Sequence, residues 1–248
     1  MELTEKKKTD KKATNKKDKL SFSALSRFDK SPNHLLEYWN GTHVTTSAMQ
    51  EGSLGHLLIL QKDKFESKYK IYDGRRAGKI WIEFKDEALA ENPKVEIITR
   101  STYESVSRLV DISLKDKQFS ELLSQIGETE KYIEWTRKNQ KFHGYVDGVA
   151  DDFIFDIKFC QDSGDKFLRD LKYGDINMQG AMYLDYYNYD RDFLIVAIEK
   201  KPPFNVQTYR LGKNMIETGR QRYLDLIDEY KLWDGKPKGY SDTIIEVI

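Results

Sequence analysis

Cysteine is nearly absent from this chain of 248 residues, in which Cys160 is the single cysteine. One cysteine cannot form an intramolecular disulfide, and it excludes a four-cysteine zinc or iron–sulfur site. This usage fits a reducing cytoplasm, where we expect the protein to reside. Long apolar runs are also missing, since no segment approaches the roughly 20 residues of a membrane-spanning helix. The charged N-terminus lacks the apolar stretch of a signal peptide, so we expect no export.

A net charge is lacking too, because 41 Lys and Arg balance 41 Asp and Glu. Neutrality argues against a protein that coats DNA, although a protein with a neutral surface can still carry a local basic groove. The charges are unevenly distributed, with eight Lys and four acidic residues in residues 1–19. We expect residues 1–19 to be a disordered Lys-rich tail, either a solubilising leader or a weak phosphate-binding segment. We expect residues 20–248 to form a single domain.

Hydrophobic periodicity divides the chain into a helical N-terminal portion and a strand-rich C-terminal portion. Helices are predicted from Ser21 or Ser23 to Asp29, and over His34–Trp39, Ser47–Leu60, Trp81–Ala90, Thr102–Leu114 and Lys117–Gln125. Three strands, a helix, two strands and an amphipathic helix follow, over Glu130–Trp135, Lys141–Val149, Phe153–Phe159, Asp175–Tyr187, Phe193–Glu199, Val206–Leu211 and Asn214–Trp233. This order predicts an α/β or α+β core.

The most informative segment is HGYVDGVADDFIFDIKFC, residues 143–160. Side chains alternate between the two faces of a strand, so Asp156 and Lys158 share a face with Ile154. The other face carries only apolar residues, which are Phe153, Phe155, Ile157 and Phe159. If Asp151 and Asp152 form a two-residue turn, Asp147 lies directly opposite Asp156. An Asp–Lys pair in an apolar strand therefore faces a second carboxylate.

Two opposed carboxylates repel each other, at a cost of roughly 0.2–1 kcal/mol at the surface and more when buried. A cation between Asp147 and Asp156 would remove that cost, and oxygen ligands favour Mg²⁺ or Mn²⁺. Such a metal can polarise a phosphodiester and lower the pKa of a bound water. Lys158 can orient or deprotonate the water and offset charge in the transition state. The alternative is an ordinary exposed Asp–Lys strand face, because D-x-K arises often by chance.

Four segments carry a resemblance to a known group of enzymes. G-x-x-D, a short turn and then D-x-K, ending at Lys158, resembles the motif of the PD-(D/E)xK nuclease superfamily. The segment from Gly52 to Leu60, with His56 at its centre, resembles the G-x-x-x-H-x-x-L-L helix of RecE-type exonucleases (exonuclease VIII). Gln179 and Tyr183 resemble the Q-x-x-x-Y helix of RecB-like and RecE-like nucleases. Tyr132–Trp135 before G-x-x-D also fits the RecE pattern, so the resemblance covers nearly all of residues 20–233.

The resemblance implies a fold and a site. The fold is a restriction-endonuclease-like α/β core with a mixed central sheet flanked by helices and a helical N-terminal portion. The implied metal ligands are His56, Asp147, Asp156 and the Ile157 carbonyl. Lys158 is the implied catalytic lysine, and Gln179 and Tyr183 position the DNA strand or the lysine. A lone histidine such as His56 is otherwise more often a core residue, and Glu83 is a weaker candidate for an acidic family position.

The resemblance also implies an activity and partners. The activity is Mg²⁺-dependent hydrolysis of linear double-stranded DNA from 5′ to 3′, which leaves 3′ single-stranded overhangs; Mn²⁺ can substitute. The partners are linear duplex DNA, a single-strand-annealing recombination protein and further copies of the chain in a tetrameric ring, encoded by a phage or prophage. Three alternatives stay open: a RecB-like or Cas4-like nuclease, a structure-selective endonuclease, and a catalytically silent DNA-binding module of the same fold.

Overall fold

A computed structural model describes residues 18–41 and 46–239. Most of the predicted Lys-rich tail, residues 1–17, lies outside the described residues. Lys19, which we assigned to the tail, begins the first strand, β1 (Lys19–Ser21). The strand pairs in parallel with residues 141–143.

The N-terminal portion is helical, with a small sheet inserted in it. Its helices are α1 (Phe22–Lys30), α2 (Pro32–Asn40), α3 (Ser47–Leu60), α4 (Phe65–Lys68), α5 (Lys79–Glu91), α6 (Arg100–Ser113) and α7 (Lys117–Ser124). Its strands β2 (Tyr69–Tyr72) and β3 (Glu96–Thr99) pair in parallel. Side-chain caps explain where several helices begin: Ser21, Ser31 and Thr46 accept hydrogen bonds from the first turns of α1, α2 and α3.

The C-terminal portion follows the predicted order, and the element bounds differ from the predicted ones by a few residues. Its elements are β4 (Glu128–Arg137), β5 (Gln140–Val149), β6 (Phe153–Cys160), α8 (Asp165–Tyr173), α9 (Ile176–Tyr186), β7 (Asp192–Glu199), β8 (Val206–Arg210) and α10 (Lys213–Leu232). Hydrophobic periodicity does not reveal α8, because Phe167 and Leu171 are its only buried residues and charged residues lie between them. The strands β1, β2 and β3 were not predicted either, because each has only three or four residues.

Within the described residues, the main sheet has six strands. β4 pairs antiparallel along the length of β5 on one edge. On the other edge, β5 pairs antiparallel with β6 at Gly148–Phe155 and Val149–Ile154, and in parallel with β1 at residues 141–143. β6 then pairs in parallel with β7, which pairs antiparallel with β8. The sheet is therefore mixed, and β5 and β6 separate soon after their hairpin.

Helices cover both faces of this sheet, as predicted for a restriction-endonuclease-like core. One face packs against α1, α2, α9 and α10, and this layer contains Ile154, Val146 and Ile195. The opposite face carries Phe155, Ile157 and Val196, which pack with Phe119 of α7. A third cluster joins α3, α6 and the β2–β3 pair through Leu54, Ile98 and Val106. None of the helices in the described ranges is long and apolar enough to cross a membrane.

Candidate active site

The two carboxylates lie where β5 and β6 separate. The β5–β6 hairpin closes with a hydrogen bond from the Ala150 amide to the Phe153 carbonyl at 2.9 Å, so Asp151 and Asp152 form the predicted two-residue turn. Continuing the register of the observed pairs places Asp147 opposite Asp156. Both residues are buried, at 9% and 5% exposure. Asp147 Oδ2 accepts a hydrogen bond of 2.7 Å from the Ile157 amide, in the position where a strand would otherwise pair.

Asp156 is held by two side chains. Its Oδ2 lies 2.8 Å from the Lys158 ammonium, which is the next residue on the same face of β6. Its Oδ1 accepts a hydrogen bond of 2.7 Å from the Gln179 amide of α9. α9 can approach the sheet this closely because Gly144 faces Tyr183: a Cβ there would lie 2.8 Å from the tyrosine ring. The Tyr183 hydroxyl lies beside the Gln179 amide, so both residues of the predicted Q-x-x-x-Y pair line the site.

His56 reaches the site from α3. Its Nδ1 lies 3.3 Å from Asp147 Oδ2, and its ring lies within hydrogen-bonding reach of the Ile157 backbone. Gly55 makes this approach possible, because a Cβ at that position would lie 2.4 Å from the Phe159 ring. The small residue brings α3 onto β6 and directs the neighbouring histidine at the carboxylates. The structure thus brings together His56, Asp147, Asp156 and Lys158, although they come from three separate elements.

Glu130 is a site residue that the sequence analysis missed. Its carboxylate lies close to His56 and Asp147: one ligand atom from each of the three lies within 4.8 Å of the others. Glu130 has a positive φ of 51°, which is costly for a non-glycine residue in a strand. In the pairing of β4 with β5, Thr129 and Lys131 each have a partner residue, and Glu130 between them does not. A carboxylate at the start of a predicted strand, opposite Asp147, was the available signal.

The site concentrates negative charge in a buried place. Burial and the negative charge of Asp156 raise the pKa of Asp147 well above its usual range. Burial also raises the pKa of Glu130, although Lys68 and Lys64 oppose the shift. Such shifts mean that the ionised carboxylates are destabilised as they stand and gain from a cation placed among them.

The two basic residues of the site differ in charge state. Burial lowers the pKa of His56, so the imidazole is neutral near pH 7, which is the form that binds metals. Burial would also lower the pKa of Lys158, but the charge of Asp156 and its hydrogen bond outweigh that effect, and the pKa is raised. Lys158 is therefore an ammonium ion, suited to charge stabilisation rather than to accepting a proton.

These donors fit a hard divalent cation. Three carboxylates and a neutral imidazole are ligand types found around Mg²⁺ and Mn²⁺. The Ile157 amide points toward Asp147, and the amide and carbonyl of one strand residue project from the same edge. The Ile157 carbonyl therefore faces the same gap between the strands. The donor set suits such a cation, and Glu130 could join the predicted ligands in holding one.

An open cleft of about 710 Å³ gives access to this group. His56, Glu130 and Lys158 line it, together with Ser23 and Lys68. Glu83, the weaker candidate, lies outside the site: it is exposed on α5, 3.6 Å from the Lys79 ammonium. Its helix covers the β2–β3 pair through Phe84, which packs on Tyr72, and not the main sheet.

The fold and the site define a class of protein: a PD-(D/E)xK nuclease, in which the carboxylates and the lysine occupy adjoining strands of a mixed sheet. Comparison with sequence families agrees, because the profile of a PDDEXK-like domain of unknown function (DUF3799) matches residues 21–238. The chain belongs to this family. The predicted superfamily and fold class are thereby confirmed, and the RecE type is consistent with them.

A solved structure shows the same fold. A candidate exonuclease from Eubacterium rectale superposes with a TM-score of 0.63 at 13% sequence identity, over 87% of this chain and 80% of that chain. A second structure, SSO0001, has 15% identity over 75% of this chain and 88% of that chain, with a TM-score of 0.33, which is too low to indicate a common fold. Among curated proteins, none matches this sequence.

Proposed function

We propose that this chain is a Mg²⁺-dependent exonuclease that hydrolyses phosphodiester bonds of linear double-stranded DNA from 5′ to 3′ and leaves 3′ single-stranded overhangs. The observation that carries the proposal is the convergence of His56, Glu130 and Asp147 at an open cleft, with Asp156 and the Lys158 ammonium beside them. Membership of a PDDEXK-like family supports phosphodiester hydrolysis. The exonuclease description of the Eubacterium rectale structure supports attack at ends, and the 5′-to-3′ direction is supported by the RecE resemblance.

Each residue has a role in this proposal. A magnesium ion, for which manganese can substitute, would be held by His56, Glu130, Asp147, Asp156 and the Ile157 carbonyl. The bound ion supplies Lewis-acid polarisation of a phosphodiester oxygen. The Ile157 amide orients Asp147, which accepts its hydrogen bond at 2.7 Å. These contacts fix the carboxylate before substrate arrives, so that the site is preorganised.

Lys158 acts on the substrate through its charge. Its ammonium is kept protonated by Asp156 and lies at the surface of the cleft, where a scissile phosphate can approach. A fixed cation there stabilises the negative charge that develops on the phosphoryl oxygens during hydrolysis. Gln179 is a positioning residue, because it fixes Asp156 Oδ1 through its amide. Tyr183 stays protonated, since burial raises its pKa, and supports the Gln179 side chain.

The test uses linear duplex DNA labelled at either 5′ or 3′ ends, with Mg²⁺, Mn²⁺ or EDTA. The wild-type chain is compared with Asp156→Ala and with a matched control, Asp152→Ala, an exposed aspartate in the hairpin turn. We expect metal-dependent release of nucleotides from 5′ ends by the wild type and the control. The Asp156→Ala variant should release none, because a ligand and the partner of Lys158 are both lost.

The same assay separates the alternatives. Cleavage of closed circular DNA would identify a structure-selective endonuclease and contradict digestion from ends. Release from 3′ ends would contradict the proposed direction and favour another end-processing nuclease of the superfamily. DNA binding without digestion in either metal would favour a catalytically silent module. Metal titration completes the comparison, because a silent module should bind neither Mg²⁺ nor Mn²⁺ at this site.

Assembly belongs to the same proposal and rests on the RecE resemblance. A tetrameric ring would hold the DNA during digestion, and a single-strand-annealing recombination protein would receive the 3′ overhang. The mass of the protein in solution, by light scattering, tests the ring: a monomer at assay concentration would contradict it. Co-purification with an annealing protein encoded in the same phage or prophage tests the partner.

A further inference from the structure

An exposed aromatic surface lies beside the cleft, on the face of β4 and β5 that α9 does not cover. Tyr132 and Tyr145 are directly paired across the two strands, with ring centroids 5.1 Å apart. They are 45% and 56% exposed, which is high for large aromatic side chains in the middle of ten-residue strands. His143 lies next to them, with its ring centroid 6.1 Å from that of Tyr132. We call these three residues the aromatic platform.

The platform is held in place rather than loosely exposed. The Tyr132 hydroxyl donates a hydrogen bond to the Glu134 carboxylate, which forms an ion pair with Lys19 of β1. The Lys19 ammonium also lies 3.4 Å from the Tyr132 hydroxyl. Side chains of two strands, β4 and β1, thus fix one ring of the pair. A ring with a fixed orientation loses little side-chain entropy when it binds a flat ligand.

The platform continues into the candidate active site along both strands. Tyr145 precedes Asp147 by two residues in β5, and Tyr132 follows Glu130 by two residues in β4. Two residues of a strand span about 7 Å. That length equals about two base-stacking steps of about 3.4 Å each. A DNA strand with one phosphate at the carboxylates would therefore have its neighbouring bases at the two tyrosines.

Two lysines lie beside the platform. Lys19 and Lys141 lie on the same outward face as the tyrosines, where Lys19 pairs with Glu134. Lysines attract phosphates irrespective of sequence, whereas aromatic rings bind the faces of unpaired bases.

We propose that Tyr132 and Tyr145 stack on unpaired bases of a DNA strand and position its adjacent phosphodiester at the candidate metal site. The proposal rests on the proposed nuclease function and names the form of DNA that the cleft receives: a single-stranded end, separated from its complement. Stacking of this kind is tolerant of sequence, because every base has a π face. The platform therefore positions DNA without selecting a sequence.

The experiment measures binding of a short single strand with phosphorothioate linkages, which resist hydrolysis, in the presence of Mg²⁺. We expect Tyr145→Ala and Tyr132→Ala each to weaken binding by roughly five- to 150-fold. Tyr145→Phe keeps the ring and should bind like the wild type. Tyr173→Ala is the matched control, because Tyr173 is an 84% exposed tyrosine on α8, away from both strands. Thermal unfolding checks that each variant is folded.

Two further measurements distinguish the loss of base stacking from a general loss of contact area between protein and DNA. A fluorescent adenine analogue opposite the platform should be quenched by the wild type and by Tyr145→Phe but not by Tyr145→Ala. An abasic nucleotide at that position should weaken wild-type binding by the same factor as Tyr145→Ala, and the variant should lose nothing further. Additive losses, or an equal loss in Tyr173→Ala, would overturn the proposal.

The remaining outcomes are also decisive. If the wild type hydrolyses linear DNA while both alanine variants keep its affinity and rate, the proposed function stands and the platform is refuted. If the variants change the mass of the protein in solution but not its affinity for DNA, the surface is an interface between copies of the chain. If the wild type neither binds nor cleaves DNA, both proposals fail together.

Discussion

The two edges of β6 differ in a way that separates structure from function. On one edge, β6 pairs with β7 from Phe153 to Cys160, over its whole length. On the other edge, it pairs with β5 at Gly148–Phe155 and Val149–Ile154, and then the two strands separate. Beyond that point, the side chain of Asp147 accepts the hydrogen bond of the Ile157 amide. The same strand therefore has a structural edge and an open edge.

The difference has a physical reason. A fully paired edge satisfies its backbone groups with a neighbouring strand and leaves no room for a ligand. On the open edge, a side chain replaces that strand, and the Ile157 carbonyl becomes available to a cation. Buried carboxylates at this edge are unfavourable for stability, as the raised pKa of Asp147 indicates. Substitutions of the polar residues at the open edge should therefore affect chemistry, and substitutions on the apolar face of β6 should affect folding.

The largest effect is expected from Lys158→Met on the open edge. The substitution removes the ammonium from the cleft, and removal of one charge-stabilising or proton-handling group lowers catalytic rates by about 10²- to 10⁴-fold. Steady-state digestion of end-labelled duplex DNA measures the rate, and circular dichroism checks the fold. Lys172→Met is the control, because Lys172 is an exposed lysine on α8. A rate near that of the wild type would contradict a catalytic role for Lys158.

The next effect is expected from Phe155→Ala on the core face of the same strand. Phe155 is fully buried and packs against Gly148 and the α7 layer. Truncating a buried phenylalanine costs about 3–5 kcal/mol of unfolding free energy. Urea unfolding measures the loss, and we expect the metal affinity of the folded fraction to be retained. Equal losses of metal affinity and stability would show that the two faces are not separable.

The sequence pattern predicted the strand β6, its register with β5 and the helix α9 that contacts it. The alternation of Phe155, Asp156, Ile157 and Lys158 is a local property of a strand, and a two-residue turn fixes the register of its neighbour. Glu130 was missed because its approach to the site depends on a positive φ and on a gap between strands. Both are consequences of tertiary packing, which a local pattern of residue types does not contain.

The open edge should also make stability depend on metal and on pH. Asp147 has a folded pKa raised above the ordinary value of 3.8, so the folded state binds its proton more tightly than the unfolded state does. In EDTA, the tighter binding of this proton stabilises the folded state fully below about pH 3.8, and this stabilisation is lost as the pH rises through the folded pKa. A saturating cation reverses the loss, with a gain of about 2.7 kcal/mol at 100 times the dissociation constant.

Urea unfolding of the wild type at several pH values, in EDTA and in Mn²⁺, measures this linkage. Asp147→Asn has no carboxyl to titrate, so its stability in EDTA should fall less steeply with rising pH and should gain little from Mn²⁺. Asp152→Asn is the matched control, because it makes the same replacement of a carboxylate by an amide at an exposed aspartate. An identical pH dependence in Asp147→Asn and the wild type would contradict the assignment of the raised pKa to a buried site residue.

The smallest effect is expected where the open edge strains the backbone. Glu130 has a φ of 51°, and left-handed conformations cost a non-glycine residue about 1–2 kcal/mol. Glu130→Gly should raise the unfolding free energy in EDTA by up to about 1 kcal/mol, because glycine adopts this conformation freely but is more flexible when unfolded. Glu130→Gln keeps the strain and removes only the charge, so it is the matched control for the backbone.

Both variants should bind Mn²⁺ at least about tenfold more weakly by titration calorimetry, because each loses a carboxylate at the site. Only Glu130→Gly should be stabilised by release of the backbone strain. The two variants should therefore have the same metal affinity and different unfolding free energies. If they were equally stable, the positive φ would carry no energetic cost, and the only role of Glu130 would be metal binding. If the glycine variant were more stable and also bound Mn²⁺ like the wild type, Glu130 would not be a ligand. The proposed metal ligands would then be the four that the RecE resemblance implies, His56, Asp147, Asp156 and Ile157.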